Sequence, residues 1–137
     1  MTPTAIYAAA DGNGGHLWSI ALNGNQNWVV TADGGFQAVT DINGMIVAGG
    51  HFDNVCKTPS QGAMGSCQQG QTTRHKFMMV TAATGALQAW DPNADSPLGD
   101  FSLATNPAGT QVAAGGDFTN FKARAISQPH LALFNVS

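Results

Sequence analysis

Apolar residues in this chain come in short runs, and each run is cut by Gly, Asn, Asp or Pro before a helical face could form. The runs are AIYAAA (5–10), HLWSIAL (16–22), QNWVVTA (26–32), FQAVTDI (36–42) and MIVAGGHF (45–52). After a long loop come KFMMVTA (76–82), LQAWDP (87–92), FSLATNP (101–107), QVAAGGDF (111–118) and HLALFNV (130–136). Alternating or wholly apolar stretches of this length, bounded by turn residues, predict about ten short strands. DGNGG, NGN, DGG and NG separate the early runs, and these residues accept the positive φ of tight hairpin turns. The pattern predicts an antiparallel all-β domain, with sandwich, barrel and propeller all open at this stage.

An internal repeat narrows the choice. Phe36 corresponds to Phe101 and Gly44 to Gly109, each at an offset of 65, and Gly49-Gly50 corresponds to Gly115-Gly116 at an offset of 66. Between these anchors the order is the same: an aromatic-led strand, a Gly turn, a small apolar strand, then Gly-Gly-x-Phe. KFMMVTAATGALQAW also echoes the upstream HLWSIALNGNQNW, each segment ending in a tryptophan, Trp90 and Trp28. The unit is therefore four strands, a to d. Residues 5–32 supply b–c–d, residues 36–92 supply a–b–c–d, and residues 101–136 supply a–b–c.

Tandem four-stranded antiparallel units are the signature of β-propeller blades. The expected fold is a single domain over 1–137 holding about two and a half to three blades, at about 5–32, 36–92 and 101–136. Gly49, Gly50, Gly115 and Gly116 are expected on inner strands, where a missing Cβ leaves room for neighbouring backbone. Phe52 and Phe118 are expected to fill the space between adjacent sheets, with Trp28 and Trp90 doing the same further out.

The phrases GGHFDNVC, RHKFMMVTAATGALQAWDPNADSPLGDFSLATNPAGTQVAAGGDFTNF and HLALF resemble the delta-60-repeat type of secreted bacterial β-propeller over about residues 34–136. Residues 1–33 fit more loosely. The resemblance implies an exported propeller that accompanies surface or polysaccharide-related modules, and it implies no defined activity. His51 departs from the pattern, standing where the second copy has Asp117. Closed propellers have about 4–8 blades, so the expected partners are further copies of this chain or the remaining blades of a longer one.

Composition changes the picture in one respect. Only 9% of residues are charged against a usual ~25%, the net charge is −3, and five residues are basic. That leaves no electrostatic footprint for nucleic acid, and no apolar run approaches the ~20 residues of a membrane span. MTPTAIYAAADG shows no secretion leader. Cys56 and Cys67 nevertheless flank a Gly/Ser/Pro-rich loop, and a disulfide there would contribute about 3 kcal/mol by chain entropy. The alternatives are two free thiols or half a metal site. The disulfide favours an extracellular or cell-surface protein.

Candidate chemistry is sparse. Tyr7, Trp18, Asn25 and Asn27 combine aromatic faces with amides near one turn, which suits a glycan; Trp18 also alternates with Ile20 and Leu22 as core would. Asp91, Asn93 and Asp95 open like a calcium loop but lack its sixth-position Gly and twelfth-position acid. No cofactor other than calcium is suggested. His16, His51, His75 and His130 read as strand-entry residues more than as a metal set. Asp41, Asp53, Asp100 and Asp117 could serve glycoside hydrolysis or cap turns. The reading favoured is a non-catalytic binding or assembly module, with a polysaccharide-active enzyme or a self-assembling structural subunit as alternatives.

Overall fold

The computed structural model describes residues 4–12, 14–57 and 67–136, and these form β-strands and connections without a helix. The strands are β1 Ala5–Ala10, β2 His16–Ala21, β3 Gln26–Thr31, β4 Phe36–Ile42, β5 Met45–Gly50, β6 Asn54–Cys56 and β7 Gln71–Thr73. They continue with β8 Phe77–Thr81, β9 Asp100–Thr105, β10 Gln111–Gly116, β11 Asn120–Phe121, β12 Ile126–Ser127 and β13 Leu131–Asn135. Three antiparallel sheets result, ordered β1-β2-β3, β4-β5-β8 and β13-β10-β9. Two small hairpins, β6–β7 and β11–β12, are inserted at matching places in the second and third sheets. The sequence pattern did not show them, because runs of two or three residues carry too little alternation to register.

Among the described residues, no sheet has four strands. The strand expected over 87–92 reduces to one bridge, Val80 to Leu87, with the Gln88 amide donating to Met79 O at 2.8 Å. Asp91 and Pro92 stop the ladder there. Proline lacks an N–H, and the Asp91 carboxylate takes the amides of His75 and Asn93.

The register exposes a two-strand ladder common to all three sheets. Ala9 faces Leu17, Gly49 faces Phe77 and Gly115 faces Leu131. The next rows are Ala8–Trp18, Ala48–Met78 and Ala114–Ala132, then Tyr7–Ser19, Val47–Met79 and Ala113–Leu133, then Ile6–Ile20, Ile46–Val80 and Val112–Phe134. Successive rows point to opposite faces, so each sheet has a leading face and a trailing face. Leu17, Tyr7 and Ala9 from the first sheet's trailing face pack against Ile46, Ala48, Met78 and Val80 on the second sheet's leading face. In the same way, Val47, Phe77 and Met79 of the second meet Val112, Ala114 and Ala132 of the third.

The aromatics close both seams. Phe52 and Phe118 are fully buried. Phe52 lies 4.7 Å from Phe36, and Phe118 lies 4.9 Å from Phe121 and 6.0 Å from Phe77. Trp28 donates its indole N–H to Ala82 O at 3.0 Å, and Trp90 meets Phe134 edge-on at 5.4 Å, so each reaches from one sheet to the third strand of the next.

Two expectations need correction. The Gly-Gly pairs do not line the innermost strands: Gly49-Gly50 and Gly115-Gly116 end the middle strands β5 and β10, and the first strands β4 and β9 come together instead. Gly49 is bare because a Cβ there would collide with the Asp100 side chain, and Gly15, at the other seam, lies under Gly34 O. The repeat also shifts along its length. Phe36 faces Gly50 while Asp100 faces Gly116, so the counterpart of Phe36 is Asp100 and not Phe101. Asn43-Gly44 closes its hairpin with φ of 48° and 76°, whereas the loop opening at Asn106 runs longer to Gln111 and moves the register after it.

Truncating either wedge, Phe52→Ala or Phe118→Ala, should cost about 3–5 kcal/mol in denaturant-induced unfolding. Gly49→Ala should destabilise far more than Gly115→Ala, whose new methyl would meet chiefly the Ser102 hydroxyl, which can rotate away about χ1.

Candidate functional site

Many of the polar groups singled out in the sequence are bonded to turns and loops, and Asp95, together with Asp33, ties one repeat to the next. The Asp33 carboxylate accepts the amides of Asp53 and Asn54 and the Asn54 side-chain NH₂, all within 2.9 Å. Asp95 does the same for the amides of Thr119 and Asn120, and takes the Thr119 hydroxyl and Asn120 NH₂ on its other oxygen. Each aspartate also donates its own amide to the matching asparagine carbonyl. The two latches tie the segment leaving one sheet to the hairpin of the next. Burial alone would raise both carboxyl pKa values, but the Asn54 and Asn120 donors and neighbouring amides outweigh it and hold both below the ordinary range. The repeated phrases Phe-Asp-Asn and Phe-Thr-Asn (52–54 and 118–120) were the available sequence signal for this device.

A second device explains His51. Its Nε2 accepts the Gly35 amide at 3.2 Å, while Asp117 accepts the amides of Leu98 and Gly99 at 3.0 Å. Both cap the loop that enters the first strand of the sheet, so an imidazole acceptor stands in for a carboxylate. The other histidines go elsewhere. His16 stacks on Trp18, His75 pairs with Asp91 at 3.1 Å, and His130 Nδ1 lies 3.2 Å from Gly116 O. Among the described residues no group of three or more His, Cys, Asp or Glu is placed to hold a metal ion. Asp91 and Asp95 spend their oxygens on separate loops, and Asn93 sits between them with φ of 55°.

The carboxylates considered for hydrolysis are similarly dispersed. Asp53 bonds Lys76 Nζ at 2.8 Å, Asp117 caps the 98–99 turn, and Asp41 lends its carbonyl to the Thr105 hydroxyl. Asp100 is the exception. It is fully buried against the bare Cα of Gly49, and neither carboxylate oxygen has a hydrogen-bond partner among the described residues. Desolvation pushes its pKa up to about 8. Cys56 and Cys67 form a disulfide with Cα atoms 5.1 Å apart. Residues 58–66 of the loop that it closes lie outside the described residues.

An open cleft lies at the seam between the first two sheets. It encloses about 460 Å³, and its lining includes Tyr7, Ser19, Asn27, Gly44, Ala82 and Ala83. Asn27 donates to the Ser19 hydroxyl at 3.1 Å, and the half-buried Tyr7 ring rests 5.9 Å from Trp28 with its hydroxyl toward Ala82 O. An apolar ring face beside an amide and a hydroxyl is the equipment that recognises the C–H face and hydroxyls of a sugar. Of the four residues expected to act together, Tyr7 and Asn27 meet here. Asn25 belongs to the β2–β3 turn, where its amide bonds Asn23, and Trp18 points to the opposite face of the sheet. Strand alternation sends Tyr7 and Trp18 apart, since Trp18 pairs with Ala8 and not with Tyr7. Ser19 and the Ala82–Ala83 turn were illegible as site residues, because only the stacking of sheets brings them beside Tyr7.

Comparison of the chain with protein-family models, with curated proteins and with solved structures gives no match.

The two kinds of aspartate set opposite pH limits. Asp33 and Asp95, with folded pKa values below the unfolded 3.8, contribute stability that is present above pH ~4 and lost as pH falls through their folded values. Asp100, raised above 3.8, favours the fold while protonated, and that contribution declines from pH ~4 until it is gone above about 8. Melting temperature should therefore peak near pH 4. Asp100→Asn should flatten the decline between pH 4 and 8 and raise the melting temperature at pH 8; a variant with the parent's slope would contradict this assignment.

Proposed function

We propose that this chain is a stack of β-propeller-type blades acting outside the cell as a non-catalytic, glycan-binding module, with the Tyr7–Ser19–Asn27 cleft as its binding site. The observation that carries the propeller reading is the repetition of one seam. The same ladder register, buried phenylalanine, tryptophan reach and aspartate latch join the first sheet to the second and the second to the third. Set side by side, β1-β2-β3 corresponds to b–c–d and the other two sheets to a–b–c, which together spell a four-stranded blade. The resemblance to delta-60-repeat propellers agrees with this arrangement.

The disulfide and a surface made polar by amides and hydroxyls support an extracellular setting. The binding reading is favoured over hydrolysis because Asp53, Asp91, Asp95 and Asp117 already serve lysine, histidine or backbone partners. In the cleft, the exposed Asn27 presents its amide beside the Ser19 hydroxyl, and Tyr7 supplies the apolar platform.

Affinity electrophoresis through gels containing laminarin, xylan or galactan tests the proposal. Retardation by at least one polysaccharide is expected, with no release of reducing ends. Asn27→Ala should weaken that binding about fivefold, the loss of roughly 1 kcal/mol from one hydrogen bond, while Asn25→Ala leaves it unchanged. Unaltered mobility in every gel would remove the glycan reading, and reducing-end release would replace it with an enzymatic one.

A further inference from the structure

The two seams leave one face of each kind uncovered, and the register shows what each was built to meet. Leu131 and Leu133 on the third sheet occupy the ladder positions of Phe77 and Met79 on the second. Phe77 and Met79 are 0% and 6% exposed because the third sheet covers them, whereas Leu131 and Leu133 are 60% and 67% exposed. At the other end, Ile6 and Ile20 hold the positions of Ile46 and Val80, and Trp18 that of Met78. All three counterparts are fully buried under the first sheet, while Ile6 is 42% exposed and Trp18 and Ile20 are only half-buried. Among the described residues, the third sheet's trailing face and the first sheet's leading face are thus left uncovered.

The residue types match the interface already used twice. Leading faces pair Ile46 with Val80 and Val112 with Phe134, and the free one pairs Ile6 with Ile20. Trailing faces offer Gly49 with Phe77, and the free one offers Gly115 with Leu131. A cavity of about 540 Å³ beside the outer edge of β13 continues this surface; its lining includes Trp90, Phe121, Ile126, Leu131, Leu133 and Phe134. Contiguous apolar surface of this kind marks an interaction site, and an exposed strand edge beside it invites pairing.

We infer that the occupant of the trailing face is the leading face of a second copy of this chain, joined head to tail. The proposal rests on the sheet-stacking part of the reading above and not on glycan binding. A head-to-tail contact closes into a ring when its rotation permits. Two copies bring together six sheets, within the roughly 4–8 of closed propellers, and each then buries both faces.

Sedimentation velocity of the 137-residue chain across a hundredfold concentration range tests this. A dimer is expected, and Leu131→Glu/Leu133→Glu on the trailing face or Ile6→Glu on the leading face should each weaken it at least tenfold. Circular dichroism confirms that the variants keep their sheets; these side chains are exposed or nearly so, and their replacement leaves both internal seams intact. The decisive measurement is the mixture. A trailing-face variant combined with a leading-face variant retains one intact head-to-tail contact and should form a one-to-one pair more readily than either variant alone. A wild-type chain that stays monomeric, or dimers that ignore both sets of substitutions, would overturn the inference. So would a mixture no better associated than its components, which would mark a contact between like faces. A monomer that still retards in the polysaccharide gels would leave the binding proposal standing while this one falls.

Discussion

The seams between sheets depend on close approach at bare glycines, as at Gly15, where the Gly34 carbonyl of the loop entering β4 comes down, and at Gly49, where the Asp100 side chain of β9 does. A methyl at either point would lie well inside van der Waals contact distance of an incoming oxygen. Close approach at that point lets the larger groups nearby interdigitate: Phe52 beside Phe36, and Phe118 among Phe77 and Phe121. Glycine in a strand interior is costly to the strand itself, through lost entropy and lost packing. Here the cost is offset by burying several aromatics per seam, each worth far more than one methyl.

Once the sheets are in contact, polar groups set how they join end to end. Asp33 and Asp95 occupy equivalent joints and collect the same set of donors, while His51 and Asp117 do the same job with different chemistry. Acceptance of a backbone amide is what the site demands, and both an unprotonated imidazole nitrogen and a carboxylate satisfy it. Asp100 breaks the symmetry. It takes the place that Phe36 holds at the first seam, so one seam is closed by an aromatic pair and the other contains a desolvated carboxyl group. The second seam therefore weakens as pH rises and Asp100 ionises, whereas the Asp33 and Asp95 latches, one at each seam, weaken in acid.

The cleft proposed for glycan binding is a by-product of the same stacking. Tyr7 faces the second sheet because it lies on the trailing face of the first, and the Ala82–Ala83 turn arrives from the second sheet to wall the space. Small residues at that turn keep the cleft open, while Trp28 spends its N–H on Ala82 O and stays in the core. The proposed binding surface and the packing surface are thus parts of one face of the first sheet.

The chain's own residues determined a good deal. Runs cut by Asn-Gly, Asp-Gly and Gly-Gly dictate short antiparallel strands, because those dipeptides take the positive φ of tight turns. The duplicated Gly-Gly-x-Phe announces a duplicated seam, and Cys56 and Cys67 flank the loop that their disulfide closes. Other features were decided only in three dimensions. Whether residues 87–92 complete a ladder depended on Pro92 and on where the Asp91 carboxylate finds donors. The pairing of Asp100 with the Phe36 position depended on a longer turn shifting the register, which a comparison anchored on matching phenylalanines misreads. The separation of Trp18 from Tyr7 and the gathering of Ser19 and Ala82 around Tyr7 and Asn27 depended on sheet faces. Local chemistry writes turns and periods, whereas which face of a strand meets which neighbour is set by the register and stacking of chain segments far apart in sequence.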